Sequence, residues 1–250
     1  FTPPVNNGGS AITGYTVTSS GGQTATGGSS PITITGLTNG TAYTFTVIAT
    51  NAEGDSAAST TSNSITPNNI PNAPTSVSAV AGNGAATITF TPPVNNGGST
   101  ITEYTVTSNL GHTATGTDSP ITVTGLTNGV TYTFTVTATN ANGTSSSSPT
   151  SNSVTPATTP GTPTSVSAVR GNGEATVTFT APVSNGGSAI TSYTVTSSGG
   201  QTATGGSSPI TITGLTNGTT YTFTVTATNA VGTGTASSTS NSITPATVPD

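Results

Sequence analysis

The strongest constraint on the fold of this chain is a sequence repeat of constant length. A segment beginning GLTNG starts at Gly36, Gly125 and Gly214, so successive copies are 89 residues apart. A fixed period of this length, without insertions or deletions, is typical of an array of similar small domains. The 250 residues hold two whole periods and most of a third. We therefore expect three small cores instead of one large core.

The first repeat is shorter than the other two at its start. Phe1 occupies the position of Phe90 and Phe179, so repeat 1 lacks the residues that correspond to 71–89 of repeat 2. The position within the repeat at which the sequence begins allows two interpretations. Either the sequence is an excerpt from a longer array, or its first repeat accepts a strand from a neighbouring chain, as in donor-strand complementation.

Within each repeat, apolar residues alternate with threonine. The stretch YTFTVTAT at Tyr132–Thr139 is a clear example. A period of two residues indicates a half-buried strand with its apolar side chains facing the core. Threonine suits the outer face because its β-branched side chain fits a pleated surface. No stretch shows a convincing helical period, so the sequence predicts an all-β fold.

Glycine and asparagine divide repeat 2 into seven predicted strands, because both residues accept the positive φ of tight turns. The predicted strands are Thr75–Ala81, Ala85–Thr91, Thr100–Ser108, His112–Thr115, Pro120–Thr124, Thr131–Asn140 and Thr144–Thr155. Short, evenly spaced strands bounded by turns predict an antiparallel β-sandwich. The side chains expected in its core are Val77, Ile88, Phe90, Ile101, Tyr104, Val106, Ile121, Val123, Leu126, Tyr132, Phe134, Val136 and Ala138.

Proline-rich segments separate the repeats. The predicted boundaries, in chain order, are 1–67 for repeat 1, 68–74 for a linker, 75–156 for repeat 2, 157–163 for a second linker, 164–245 for repeat 3 and 246–250 for the start of a further linker. Proline fixes φ and favours extended backbone, so we expect semi-rigid joints. The predicted shape is a row of beads on a rod.

Charged side chains are scarce, at 3% of residues, with one Lys or Arg and six Asp or Glu. Nucleic acid is excluded as a partner because phosphate contacts need a basic surface. No apolar run reaches the length of a membrane span, so no membrane insertion is predicted. The chain has no cysteine, which rules out disulfides and thiolate metal sites. Weak charge repulsion between copies permits close self-packing.

Three motifs carry a resemblance to a known family. Residues 125–140 (GLTNGVTYTFTVTATN) resemble its E–F turn, tyrosine corner and strand F; residues 96–106 resemble its B–C loop and strand C; residues 74–77 resemble strand A. The family is the fibronectin type III domain, in the form common in bacterial secreted proteins. The resemblance implies tandem seven-stranded immunoglobulin-like sandwiches. It also implies that the corner tyrosines are Tyr43, Tyr132 and Tyr221, with hydroxyls bonded to nearby backbone.

No catalytic residue, cofactor or metal site is predicted. His112 is the one histidine and is interpreted as a solvated surface residue, because no cluster of ligands accompanies it. Glu53 and Asp55 are the one close pair of carboxylates, too few for calcium. The glycine pairs such as Gly97-Gly98 are interpreted as turns, since no helix or lysine follows them.

The first hypothesis for function is a non-enzymatic structural segment of an extracellular bacterial stalk, fibre or sheath that self-associates into a filament. Its partners would be copies of the chain or neighbouring repeats of a longer array. The alternative is a set of spacer or accessory binding modules in a secreted adhesin or polysaccharide-degrading enzyme. Carbohydrate is not supported as a ligand, because the few aromatic residues fall at inward positions. Extracellular or cell-surface localisation follows from the resemblance.

Overall fold

The computed structural model describes residues 1–248, which form antiparallel β-strands and contain no helix. In chain order the strands are β1 (Gly14–Ser19), β2 (Thr24–Gly27), β3 (Phe45–Asn51), β4 (Gly54–Asp55), β5 (Thr75–Ala81), β6 (Ala85–Thr91), β7 (Ile101–Ser108), β8 (Thr113–Gly116), β9 (Ile121–Thr124), β10 (Phe134–Asn140), β11 (Gly143–Thr144), β12 (Thr164–Arg170), β13 (Glu174–Thr180), β14 (Ile190–Ser197), β15 (Thr202–Gly205), β16 (Ile210–Thr213) and β17 (Phe223–Asn229).

Repeats 2 and 3 each contain two sheets. In repeat 2 the sheet orders are β5-β6-β9 and β8-β7-β10-β11, and in repeat 3 they are β12-β13-β16 and β15-β14-β17. Side chains alternate across β10, where every second residue from Phe134 to Asn140 is buried. Threonine occupies the alternate positions, as the period of two predicts. This is the all-β sandwich architecture expected from the sequence.

The core of repeat 2 includes the whole predicted inward set. Eleven of those thirteen side chains are buried, and Val77 and Ile101 pack against them partly buried. Ala79 and Ala86 also belong to this core and were not predicted. Their small size removes the apolar signal that marks valine or isoleucine at an inward position.

The predicted last strand, Thr144–Thr155, is wrong as a regular strand. Only Gly143–Thr144 pairs as a strand, and Val154 forms an isolated bridge with Tyr132. Between them, residues 145–151 follow β10 through serines spaced three residues apart, which we call the serine ladder. Proline at position 149 also lacks the N–H that a regular strand would use.

Each serine of the ladder makes two hydrogen bonds to the same residue of β10. The N–H of Ser148 donates to the carbonyl of Val136 at 2.9 Å, and the N–H of Val136 donates to the Ser148 hydroxyl at 2.9 Å. Ser145 pairs with Ala138 and Ser151 pairs with Phe134 in the same way. The hydroxyl thus replaces a strand carbonyl as acceptor, and every buried N–H of β10 that faces the ladder is satisfied.

Repeat 1 keeps only one of the two sheets. Its strands pair in the order β2-β1-β3-β4, and Tyr15, Val17 and Tyr43 are buried. No strand forms at residues 32–35, which correspond to β9 and β16. In repeats 2 and 3 those strands pair with β6 and β13, and residues 1–248 hold no full counterpart of that partner for repeat 1. Within the residues described, the core of repeat 1 is therefore open on one side.

Candidate functional site

The three predicted corner tyrosines are buried, with exposed fractions of 5% for Tyr43, 1% for Tyr132 and 5% for Tyr221. Each hydroxyl accepts a hydrogen bond from the backbone N–H five residues earlier, at 3.1 Å from Thr38, 3.0 Å from Thr127 and 3.2 Å from Thr216. These bonds favour the phenolate and lower the pKa of Tyr43 and Tyr221. Each tyrosine holds the turn before β3, β10 or β17, and in repeats 1 and 2 that turn contacts the next repeat.

The turn of one repeat meets a glycine loop of the next at close range. A Cβ atom placed on Gly98 would lie 2.3 Å from the nitrogen of Gly40 and 2.8 Å from the carbonyl carbon of Asn39. Gly98 also has a φ of 80°, which side chains rarely adopt. Only glycine therefore permits this approach of two backbones, one from repeat 1 and one from repeat 2.

The linker is held beside this contact by the asparagine that ends β10. The side-chain amide of Asn140 donates to the carbonyl of Asn69 at 2.9 Å and to the carbonyl of Asn96 at 2.8 Å. The N–H of Asn69 donates to the carbonyl of Gly97 at 2.8 Å. The buried Asn140 amide thus bridges the linker and the loop of repeat 2. We call these hydrogen bonds, together with the close approach of Gly98 to Gly40, the junction.

The junction between repeats 2 and 3 has the same construction. The amide of Asn229 donates to the carbonyls of Thr158 and Asn185 at 2.8 and 2.9 Å, and the N–H of Thr158 donates to the carbonyl of Gly186 at 2.8 Å. A Cβ on Gly187 would lie 2.4 Å from the nitrogen of Gly129. The chain therefore repeats one specific packing between modules, in addition to repeating the modules.

The interpretation of His112 as a solvated side chain is wrong. Its ring is half-buried and packs edge-on against Tyr132, with the ring centroids 5.5 Å apart and an interplanar angle of 85°. The buried Nδ1 atom has no hydrogen-bond partner among residues 1–248. Gln23 and Gln201 stand at the same position, where each accepts a hydrogen bond from a serine hydroxyl. In repeat 2 the residue at this position packs against the corner tyrosine.

The carboxylates do not assemble into a site. Glu53 and Asp55 lie exposed at the end of repeat 1, where Asp55 accepts a 2.5 Å hydrogen bond from the Thr50 hydroxyl. Within residues 1–248 there is no group of three histidine, cysteine or acidic side chains that could hold a metal ion. The same residues contain no helix long and apolar enough to cross a membrane.

The aromatic side chains lie in the cores. Ten of the twelve are buried, Phe45 is half-buried, and Phe1 is 45% exposed at the open side of repeat 1. Aromatic rings are the groups that would give an apolar contact surface to a ligand. Residues 1–248 therefore present no platform of exposed rings on repeats 2 and 3.

Sequence reasoning identified the tyrosine corners but not the junctions. The glycine pairs at residues 97–98 and 186–187 signal turns, and they also mark contact between repeats. The available signal was the asparagine at the end of the equivalent strand in all three repeats, namely Asn51 of β3, Asn140 of β10 and Asn229 of β17. An asparagine retained after a run of buried apolar residues indicates a buried amide with backbone partners.

Fold and junctions together define a class of protein, a tandem array of antiparallel β-sandwich modules. The model of the fibronectin type III domain family matches residues 1–65, 72–154 and 160–243. The chain therefore belongs to the fibronectin type III domain family.

Two known proteins are similar to this chain. Chitinase A1 of Niallia circulans is 34% identical over 140 residues, which are 53% of this chain and 20% of the chitinase. The chain thus matches a small part of that relative. The crystal structure of the FN1–FN3 domains of chicken CNTN1 is 22% identical, with a TM-score of 0.37, and the alignment covers 97% of this chain and 91% of that one.

Proposed function

We propose that this chain is a non-catalytic, semi-rigid spacer of a secreted or cell-surface protein, a structural segment of the stalk or fibre type. The observation that carries the proposal is the junction, which occurs twice with equivalent backbone and amide atoms at distances of 2.8 and 2.9 Å. A flexible tether needs no buried amide bridge and no contact between backbones. A spacer that must hold its length and direction needs both.

Distance measurement between repeats 1 and 3 tests this proposal. The chain has no cysteine, so Ser29→Cys and Ser207→Cys, both exposed and at equivalent positions, would carry spin labels at two places only. Pulsed electron paramagnetic resonance should give one narrow distance distribution. A broad distribution would contradict the proposal, because freely jointed modules sample many separations.

A variant of one junction makes the test specific. Gly98→Asn adds a side chain where its Cβ would lie 2.3 Å from Gly40, while asparagine tolerates positive φ better than other residues. We expect it to broaden the distance distribution. Gly111→Asn is the matched control, because Gly111 has a φ of 86° and no atom within 4 Å of its Cβ position. The control should leave the distribution narrow.

The second candidate is an accessory role within a polysaccharide-degrading enzyme, and the similarity to part of a chitinase favours it. In such an enzyme the modules would separate a catalytic domain from other domains. Binding to insoluble chitin distinguishes a spacer from a binding module. We expect no retention on chitin, because the buried aromatic rings leave no stacking surface on repeats 2 and 3. Retention that soluble chitin oligosaccharides reverse would favour a binding role.

A further inference from the structure

One Asn-Gly pair, in repeat 2, differs from the others in how its atoms are held. The sequence contains nine such pairs, which begin at Asn7, Asn39, Asn83, Asn96, Asn128, Asn142, Asn172, Asn185 and Asn217. We propose that Asn142 is a site of spontaneous deamidation, which converts its side-chain amide to a carboxylate and loosens the junction between repeats 1 and 2. The consequence rests on the proposed spacer role, whereas the reaction itself needs only water.

The reaction joins the backbone nitrogen of Gly143 to the side chain of Asn142. Hydroxide removes the proton of the Gly143 N–H, and the nitrogen attacks Cγ of Asn142. The bond from Cγ to Nδ2 breaks, and the leaving nitrogen takes a proton from water and departs as ammonia. Water then opens the cyclic imide at one of its two carbonyls and gives aspartate or isoaspartate. Glycine favours the attack because it has no side chain to obstruct the approach.

The fold restrains the glycine nitrogen in the other eight pairs. Each of these N–H groups donates a hydrogen bond of 2.8–3.1 Å to an acceptor outside the strands. The acceptors are proline carbonyls for Gly40, Gly129 and Gly218, and side-chain oxygens of asparagine or serine for Gly8, Gly84, Gly97, Gly173 and Gly186. Among residues 1–248 Gly143 has no such acceptor, and its pairing is that of β11, a strand of two residues. Opening so short a strand costs little free energy.

The side chain of Asn142 is also weakly held. In seven pairs the asparagine side-chain oxygen accepts a hydrogen bond of 2.8–3.0 Å, which fixes the position of Cγ. Asn142 is exposed, its side-chain oxygen accepts no hydrogen bond within residues 1–248, and its amide donates only a long bond of 3.3 Å to the carbonyl of Asn69. Asn39 is the other exception, but the N–H of Gly40 is bonded to the carbonyl of Pro67 at 2.8 Å. Asn142 is therefore the pair in which both reacting groups are least restrained.

Deamidation of Asn142 would change the junction directly. The Asn142 amide faces the carbonyl of Asn69 in the linker, whereas a carboxylate has only acceptor atoms. A Cβ atom placed on Gly143 would lie 3.0 Å from Cγ2 of Ile70, so the reacting peptide packs against the linker. Isoaspartate adds one carbon to the main chain here and would move Gly143 relative to β10. We therefore expect the 2.9 Å bond from Asn140 to Asn69 to weaken as well.

The junction between repeats 2 and 3 has no equivalent site. Val231 occupies the position of Asn142 and has no amide to lose. The two junctions are otherwise built alike, with Asn229 in the place of Asn140. Deamidation would therefore loosen the chain at one defined joint and leave the next joint stiff.

Peptide mapping by mass spectrometry tests the reactivity. The native chain is incubated at mildly alkaline pH in water enriched in heavy oxygen, which marks every asparagine that is hydrolysed. We expect Asn142 to react several-fold faster than the asparagine of any other Asn-Gly pair. In guanidinium chloride this preference should disappear, because the hydrogen bonds that distinguish the pairs are lost. Asn142→Gln is the control, since its longer side chain closes the ring slowly, and the native variant should stay almost unmodified.

Spin labels at Ser29→Cys and Ser207→Cys test the consequence for the junction. As Asn142 is converted, the distance distribution between repeats 1 and 3 should broaden. The Asn142→Gln chain carries the same labels and is incubated in the same way. Its distribution should stay narrow, because the amide that faces the linker is retained.

Two results would overturn the proposal. The first is a native chain in which another Asn-Gly pair reacts as fast as Asn142 or faster. The second is a fully converted chain whose distance distribution is as narrow as before. A distribution that is already broad before incubation would instead contradict the spacer role, and the mass spectra would still show whether Asn142 reacts first. Failure of selective deamidation is therefore distinguishable from failure of the spacer role.

Discussion

Repeats 1 and 3 have almost the same sequence and very different interiors. From Gly8 to Thr41 and from Gly186 to Thr219 they differ only at Gly14 and Ser192. Three apolar side chains of this stretch are nevertheless half-buried in repeat 1, whereas their equivalents in repeat 3 are buried, with exposed fractions of 5%, 0% and 6%. The residues of repeat 3 are Ile210, Ile212 and Leu215, which correspond to Ile32, Ile34 and Leu37 of repeat 1.

The comparison separates what a strand encodes from what its neighbours supply. The sheet β2-β1-β3 forms in repeat 1 with the same register as β15-β14-β17 in repeat 3. Strand β16 has no counterpart in repeat 1, although residues 32–35 have the same sequence, because its partner β13 has none. The alternating pattern and the turns of the sequence are sufficient to form the sheet β2-β1-β3. The second sheet, which in repeat 3 is β12-β13-β16, forms only when its central strand is present.

The largest effect is expected from restoring that central strand. A chain with a copy of residues 71–89 placed before Phe1 should gain the second sheet of repeat 1. Burial of Ile32, Ile34 and Leu37 should then stabilise this repeat by several kcal/mol. Hydrogen exchange of the amides of β1 should slow markedly. The same extension with Ile88→Asn in the added segment is the control, and equal slowing by both extensions would refute the explanation.

Substitution of one equivalent core residue in each repeat should show the same difference between repeats 1 and 3, with a smaller change in stability. Phe223 is 1% exposed, and the equivalent Phe45 is half-buried. Phe223→Ala should cost about 3–5 kcal/mol in the free energy of unfolding, and Phe45→Ala clearly less. Urea denaturation of the two variants measures this difference. Equal losses would mean that repeat 1 closes its core in some other way.

The smallest of the three effects concerns the serines of repeats 3 and 1 that correspond to Ser148 of the serine ladder. Ser237 is 7% exposed, and its hydroxyl accepts from the N–H of Val225 at 2.9 Å. Ser237→Ala leaves that buried N–H without an acceptor and should cost about 1–3 kcal/mol. Ser59 makes the same bond to Val47 at 3.0 Å but is exposed, so water replaces its hydroxyl. Thermal unfolding should therefore shift little in Ser59→Ala, and a shift as large as that of Ser237→Ala would contradict this account.

Much of the fold could be predicted from the sequence because alternation and turns are local signals. The strands Thr75–Ala81 and Ala85–Thr91 are observed at their predicted bounds. The path of residues 145–151 could not be predicted, because the serines there repeat every three residues and show no alternation of apolar and polar side chains. The tyrosine of the corner is visible as a motif. The junction is not, because the approach of Gly98 to Gly40 depends on how two modules are oriented.

The serine ladder has a consequence for how copies of this protein coexist. An edge strand ordinarily offers free carbonyl and N–H groups to any other strand, and charged side chains commonly prevent that. Here only 3% of residues are charged. Each ladder hydroxyl instead donates to the carbonyl of the following residue, as Ser148 does to Pro149 at 2.8 Å. At this edge the carbonyls accept hydrogen bonds from the serine hydroxyls of the same segment, and the serines are spaced three residues apart. The edge therefore does not match the hydrogen-bonding pattern of an incoming strand. In this way it resists edge-to-edge aggregation without charged side chains.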